Sequence, residues 1–458
     1  MTAPLQRPDT APPAVTTARV FAIAGPAMVA NLTTPFLGVV ATAAVGQIGD
    51  ATRLGAVAMA SVIFDCLFWL FGFLRMGTVA LTAQAMGVGD AAEIRAVLPR
   101  ALGLALATGL ALLVLQRPLA AAVFAVLGGS DAVSDAARSY FTIRIWSAPL
   151  VLANYVVLGW LVGQARTGTA LALQILINAT NMVATALLVL GLGYGIAGAA
   201  VAAVVAEGFG LVAGAIVAWR GLGGRLEAYD RRLFDLAKLR RMLAVNRDIF
   251  IRTVALVTAF LFFTAQGARA GDEILAANAV LNNFMLIGSF FLDGLATAAE
   301  QLCGFSVGAG DGAGFRRAVR LVLAWSFAFG AAATIVFMVG GTTLVDVITT
   351  SASVRATARD YLMLAALAPV CGVMAYTFDG IYIGATWSRD MRNLMVAALA
   401  LYLASWWPLR ALDNTGLWIA LLGFLAARGV LQALRHPSLA RATFGAPAGA
   451  ITPASRRP

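Results

Sequence analysis

The chain has 458 residues, 60% of them hydrophobic and 12% charged. Soluble domains carry roughly 25% charged residues, so a chain this long and this apolar has lipid as its main solvent. Its net charge of +11 does not signal nucleic acid, because the Lys and Arg residues fall between apolar blocks and so report membrane topology. Cys66, Cys303 and Cys371 lie in apolar runs without CxxC spacing, so no disulfide and no metal site is expected. The one histidine, His436, falls after the last apolar run. No Walker loop and no HExxH is present, so the chain reads as neither an enzyme nor a cofactor binder.

Residues 1–18 are rich in Pro, Thr and Ala and read as a flexible tail rather than a cleaved signal. A membrane-spanning helix needs roughly 20 apolar residues. Twelve such runs follow. Residues 19–220 form an N-terminal lobe with runs at Phe21–Val45, Val57–Met86, Ala101–Val123, Ala136–Leu161, Leu171–Leu192 and Ala197–Trp219. Arg117-Pro118 interrupts the third run and predicts a break or kink there. Residues 221–247 are a basic linker, read equally as a surface amphipathic helix or a solvated connection. Residues 248–434 form a C-terminal lobe with runs at Phe250–Ala268, Ile274–Val307, Ala318–Val347, Leu362–Ala385, Leu394–Leu412 and Trp418–Ala433, and residues 435–458 are a second tail. The linker carries Arg225, Arg231, Arg232, Lys238, Arg240, Arg241 and Arg247. Placing it in the cytoplasm puts both termini there too, and the loops bearing Arg95 and Arg100, Arg316 and Arg317, and Arg389 and Arg392 then agree with the positive-inside rule.

The two lobes repeat each other. "GVGDAAEIRAV" matches "GAGDGAGFRRAV", with Asp90 against Asp311 and Arg95 against Arg316, and 311 − 90 = 221. Tyr140 matches Tyr361 and Gly163 matches Gly384 at the same spacing, while Asp50 matches Asp272 one residue away from it. Six spans per half give both halves the same orientation, a parallel repeat suited to alternating access and hence to transport. The expected fold is all-α: twelve transmembrane helices in two pseudo-symmetric six-helix bundles. Aligning "FLR" with "FLD" shifts the local spacing to 218, which pairs Arg75 with Asp293 and Asp65 with Asn283. On that register a base in one lobe faces an acid in the other.

"FLRMGTVALTAQAMG", "FLDGLATAAEQLCG", "FDGIYIGATWSRDMRN" and "GLGYGIAGAAVAAVVAE" resemble motifs of multidrug and toxic compound extrusion (MATE) transporters, closest to their DinF-like bacterial branch. The resemblance covers roughly Ala18 to Ala433 and implies a monomeric exporter in a bacterial cytoplasmic membrane. Such a protein moves small organic cations or amphipathic molecules against a proton or sodium gradient. A metabolite exporter or lipid-linked precursor flippase of the same fold is the alternative. One departure matters. The family commonly carries carboxylates in its first and fifth spans, and here Ala41 and Thr185 stand in those places.

Charges inside spans are costly and mark function by default. Asp379 in the tenth span matches a position that some members of the family use for cation coupling. Asp293 and Glu300 are seven residues apart, which on a helix puts them on one face roughly 10 Å apart along the axis. With Asp65 in the second span they complete the ion-coupling candidates, since burial makes a carboxylate easier to protonate. Arg75, Asn178, Asn181, Asn282, Asn283 and Tyr376 are the substrate-cleft candidates, the amides by hydrogen bonding and the tyrosine by cation–π attraction.

Overall fold

The computed structural model describes residues 14–46, 51–127, 131–222 and 231–445. Among them every regular element is helical. In chain order these are α1 (Thr17–Gly46), α2 (Ala51–Leu70), α3 (Phe73–Val88), α4 (Ala91–Val114), α5 (Gln116–Leu127), α6 (Asp131–Arg144), α7 (Ala148–Gly163) and α8 (Thr167–Thr185). A π-helical turn at Ala186–Gly191 extends α8, and α9 (Gly195–Gly221) follows. Then come α10 (Leu236–Arg269), α11 (Asp272–Ala309), α12 (Gly312–Ile348), α13 (Ala352–Gly384), α14 (Ser388–Leu409) and α15 (Asp413–Phe444). Ten apolar stretches among the described residues are long enough to cross a membrane, and one of them, Ser388–Phe444, contains both α14 and α15. With the 30-residue α1 they make the twelve expected crossings.

Several crossings are composite. The break foreseen at Arg117-Pro118 falls at Leu115, between α4 and α5. A second break, at Phe71 and Gly72, divides the second span into α2 and α3. The C-terminal helix α15 continues through residues 435–444, where the sequence suggested a tail. Its last turns dock on aromatic partners: His436 stacks on Phe315 at 5.9 Å and Phe444 packs on the same ring at 5.1 Å. Within the linker, residues 223–230 lie outside the described residues, and from Leu236 the chain is already α10.

By internal packing the described chain divides into two compact units. The N unit holds Gly25–Thr82 and Ala91–Asn246. The C unit holds the described part of Met1–Ala24 together with Ala83–Asp90 and the chain from Arg247 onward. In the C unit, Asn278 of α11 and Asn414 of α15 exchange amide hydrogen bonds at 2.8 and 3.0 Å. The indole of Trp418 donates to Asn278 at 2.9 Å, and all three side chains are buried. Truncating Asn278 leaves both partners buried without their bonds. Asn278→Ala should therefore cost about 1–3 kcal/mol per orphaned group, read as a lowered thermal midpoint of detergent-purified protein.

The repeat is written into the backbone. Gly89 and Gly310 both have positive φ, +75° and +68°. Each stops its helix with the same pair of bonds: Gly89 N–H to Met86 O and Asp90 N–H to Ala85 O in one copy, Gly310 N–H to Val307 O and Asp311 N–H to Ser306 O in the other. Only glycine takes that conformation without steric cost, so the second glycine of "GVGD" and "GAGD" is a helix terminator. Ala165 and Thr386, also 221 apart, share a positive φ of 60° and 56°. Side-by-side packing repeats as well. A Cβ at Gly159 would strike the carbonyl of Arg75, and one at Gly163 the carbonyl of Val79. Their counterparts Gly380 and Gly384 meet the carbonyls of Ala296 and Glu300. Here 380 − 159, 384 − 163, 296 − 75 and 300 − 79 all equal 221. This corrects the local spacing of 218. Arg75 corresponds to Ala296 and Asp293 to Gly72, so the "FLR" and "FLD" triplets are not equivalent positions.

Candidate functional site

Asp379 lies in the last third of α13, buried to 4% exposure. One oxygen, Oδ2, accepts from the guanidiniums of Arg252 on α10 and Arg428 on α15. The other, Oδ1, accepts from Gln432 Nε2 at 2.7 Å. Gln432 is fixed in turn, because its backbone carbonyl accepts from Tyr382 O–H at 2.7 Å. Arg252, Arg428 and Gln432 are all buried. Charge-assisted donors on both oxygens complement an ionised carboxylate. One turn before Asp379, the ring of Tyr376 lies under the Arg428 guanidinium at 5.6 Å. Tyr376 is within electrostatic reach of Asp293 and of Arg252. The C unit thus assembles Asp379 and Tyr376 around two arginines that the sequence reading passed over, with Asp293 within electrostatic reach of the tyrosine. Arg252 stands in the seventh apolar run and Arg428 in the twelfth, where a lone charge was itself a signal.

The other C-unit candidates separate. Helix α11 is continuous, so Asp293 and Glu300 share a face as expected, but Asp293 is exposed and Glu300 buried. Asn283 is exposed and donates to its own helix at Ala279 O, 3.0 Å. Asn282 is half-buried beside it.

In the N unit, Asn178 is buried on α8, donating to Thr33 Oγ1 at 3.0 Å and accepting from Gln174 Nε2 at 3.0 Å. Thr185, in the place of the missing fifth-span carboxylate, is buried and turns its hydroxyl to Asn181 Oδ1 at 3.4 Å. The Ala41 side chain lies outside the described residues. Two carboxylates lie inside the apolar runs of this unit. Asp65 on α2 is exposed and within electrostatic reach of Arg144 at the end of α6. Glu207 on α9 accepts from Asn154 Nδ2 at 2.8 Å, and the same amide also donates to the Glu207 backbone carbonyl at 2.9 Å. Gly210, one turn on, leaves room for the Ile177 side chain of α8, with the Asn154 amide beside it. Arg144 acts on Glu207 as well, and its guanidinium rests over the rings of Phe64 and Phe68 at 5.8 and 5.7 Å. Tyr155 lies within electrostatic reach of Glu207, Asp65, Arg75 and Arg144 together. Glu207 was not singled out from the sequence, although it is the one acid in the run Ala197–Trp219.

A duplicated set of membrane-length helices that keeps ionisable side chains inside its spans has the architecture of a polytopic membrane transporter. The MatE family model matches residues 26–187 and 249–404, two stretches that begin 249 − 26 = 223 residues apart, close to the internal repeat. The chain belongs to the MatE family of membrane transporters. It is 36% identical over 413 residues to the DNA damage-inducible protein F of Escherichia coli (strain K12), covering 89% of each chain. It is 26% identical over 429 residues to a NorM protein of Rhizobium meliloti (strain 1021), covering 88% of this chain and 89% of that one. Among solved structures, a crystal structure of MATE in the bent conformation shares the fold with a TM-score of 0.83 at 17% identity, covering 93% and 95% of the two chains. A MOP superfamily transporter from Pyrococcus furiosus superposes at 0.82 and 18% identity, covering 93% and 96%.

Proposed function

We propose that the protein is a secondary exporter that moves small organic cations or amphipathic compounds out of a bacterial cell in exchange for a proton or sodium ion. It works as a monomer in the cytoplasmic membrane with both termini on the cytoplasmic side. The observation that carries this reading is the retention of partly accessible carboxylates inside membrane-length helices, Asp293 on α11 and Glu207 on α9. A charge kept in a span at that cost is kept for an ion or a substrate. The NorM relatives are named for multidrug resistance, which agrees with an organic-compound substrate.

The test is accumulation of ethidium in cells stripped of their own exporters, with proton and sodium gradients collapsed separately. Cells making the wild-type protein should hold less dye, and collapsing one of the two gradients should remove the difference. Asp293→Asn and Glu300→Gln should each raise dye retention if their carboxylates take part in coupling. Export that survives collapse of both gradients would rule out cation exchange.

A further inference from the structure

The spacing of 221 relates Tyr155 to Tyr376 and Glu207 to Arg428, since 376 − 155 and 428 − 207 both equal 221. The short contexts agree: "AEG" in α9 stands against "ARG" in α15. The structure bears this out within each unit. Tyr155 lies within electrostatic reach of Glu207, and Tyr376 lies beneath the Arg428 guanidinium. The same place beside the same tyrosine therefore carries a negative charge in one half and a positive charge in the other. Around Arg428 the acid Asp379 is already held by two guanidiniums and an amide. Around Glu207 the one hydrogen-bond donor to the carboxylate among the described residues is the neutral amide of Asn154, and the side chain is half-buried rather than sealed.

We propose that Glu207 is the exchangeable-cation site of this transporter, a carboxylate that binds either a proton or the positive charge of an organic cation. The inference rests on the transport reading above and names its site. The groups that face Glu207 fit the role. Helix α7 brings Asn154, which bonds the carboxylate, and Tyr155, and α6 brings Arg144, which acts on Glu207 directly. Asp65 of α2 and Arg75 of α3 both reach the neighbouring Tyr155, Tyr140 of α6 lies by Arg144 and Asp65, and α8 carries no titratable side chain. Asn154 aims the carboxylate, and Tyr155 offers an aromatic face for an ammonium or phosphonium group. Asp65 balances one of the two arginines, so the cluster is neutral with Glu207 ionised and gains one charge on protonation. An arriving organic cation restores that same total by displacing the proton, which leaves to water. The exchange is one charge for one charge. Arg428 removes this capacity from the equivalent place in the C unit.

The experiment uses tetraphenylphosphonium binding to detergent-purified full-length protein, followed by equilibrium dialysis and by proton release into weakly buffered solution. In the acid range, where Glu207 is protonated before the probe arrives, wild type should release roughly one proton per probe bound, and its affinity there should fall by up to about tenfold per pH unit. Glu207→Gln should release none and bind, if at all, with a flat pH profile, while Glu207→Asp should restore both. Proton release from Glu207→Gln equal to wild type would overturn the assignment, as would identical behaviour of the Asp and Gln variants. Wild type that binds the probe without releasing a proton at any pH in the acid range would overturn the assignment and leave the transport reading standing. Wild type that binds no organic cation would overturn both.

Discussion

Asp379→Ala should be among the most damaging single substitutions in this chain, lowering stability by about 3–5 kcal/mol. The reason lies in what stays behind. Removing the carboxylate leaves Arg252 and Arg428 buried side by side with no opposing charge, and Gln432 without its acceptor. Like charges in a low-dielectric interior repel, and neither guanidinium can shed its proton. Thermal unfolding in detergent is the direct readout. Replacing Asp379, Arg252 and Arg428 together with leucine should recover much of the loss, because an apolar core needs no counter-charge. The outcome also separates two roles for this residue. A pure ion-coupling carboxylate would lose transport on mutation and keep its melting temperature. Unchanged melting of Asp379→Ala would show that the cluster is not a structural tie.

Gly384→Leu should abolish accumulation of folded protein in the membrane. A Cβ at this position would press on the carbonyl of Glu300 and the backbone nitrogen of Gly304, neither of which can rotate away. Helices α11 and α13 lie this close over two successive turns, at Gly380 and Gly384. Membrane helices gain affinity from such backbone approach, since lipid offers them no hydrophobic drive to associate. Even Gly384→Ala should cost about 1–3 kcal/mol as an overpacked contact. Gly103 on α4 is the matched control. A Cβ there meets nothing within 4 Å, so Gly103→Ala should be neutral or slightly stabilising, given alanine's advantage of about 1 kcal/mol in a helix. Size-exclusion profiles of the three variants in one detergent would settle the comparison.

The membrane class, the twelve crossings and the duplication were legible because each rests on a long-range statistical signal. Apolar runs of helix length and a spacing of 221 survive many local substitutions. Pairings were less legible. The triplets "FLR" and "FLD" share two of three letters, and that local likeness concealed the true register, which the glycine contacts at Arg75 and Ala296 fix. Asp379 drew notice as an acid in a span, yet its partners lie 127 residues before it and 49 and 53 after it. Nothing in the run around Asp379 announces them. Glu207 was passed over for a similar reason, since Asn154, the residue that orients it, sits 53 positions upstream on another helix. The break at Gly72 was also hidden, because a glycine in an apolar run is compatible with both a continuous helix and a bent one.

The tie between α10, α13 and α15 has a consequence for biogenesis. Arg252 and Asp379 leave the ribosome well before Arg428 and Gln432, which belong to α15. Until α15 is inserted, Asp379 has at most one of its three donors. A charged residue at the centre of a lone inserted helix costs about 2.5–3.5 kcal/mol on the translocon scale. The half-made C unit therefore waits with its polar side chains unsettled, and synthesis of α15 closes the lock. A ribosome that stops short of α15 releases a chain whose earlier helices are all present and whose charges have nowhere to go, a ready substrate for membrane quality control.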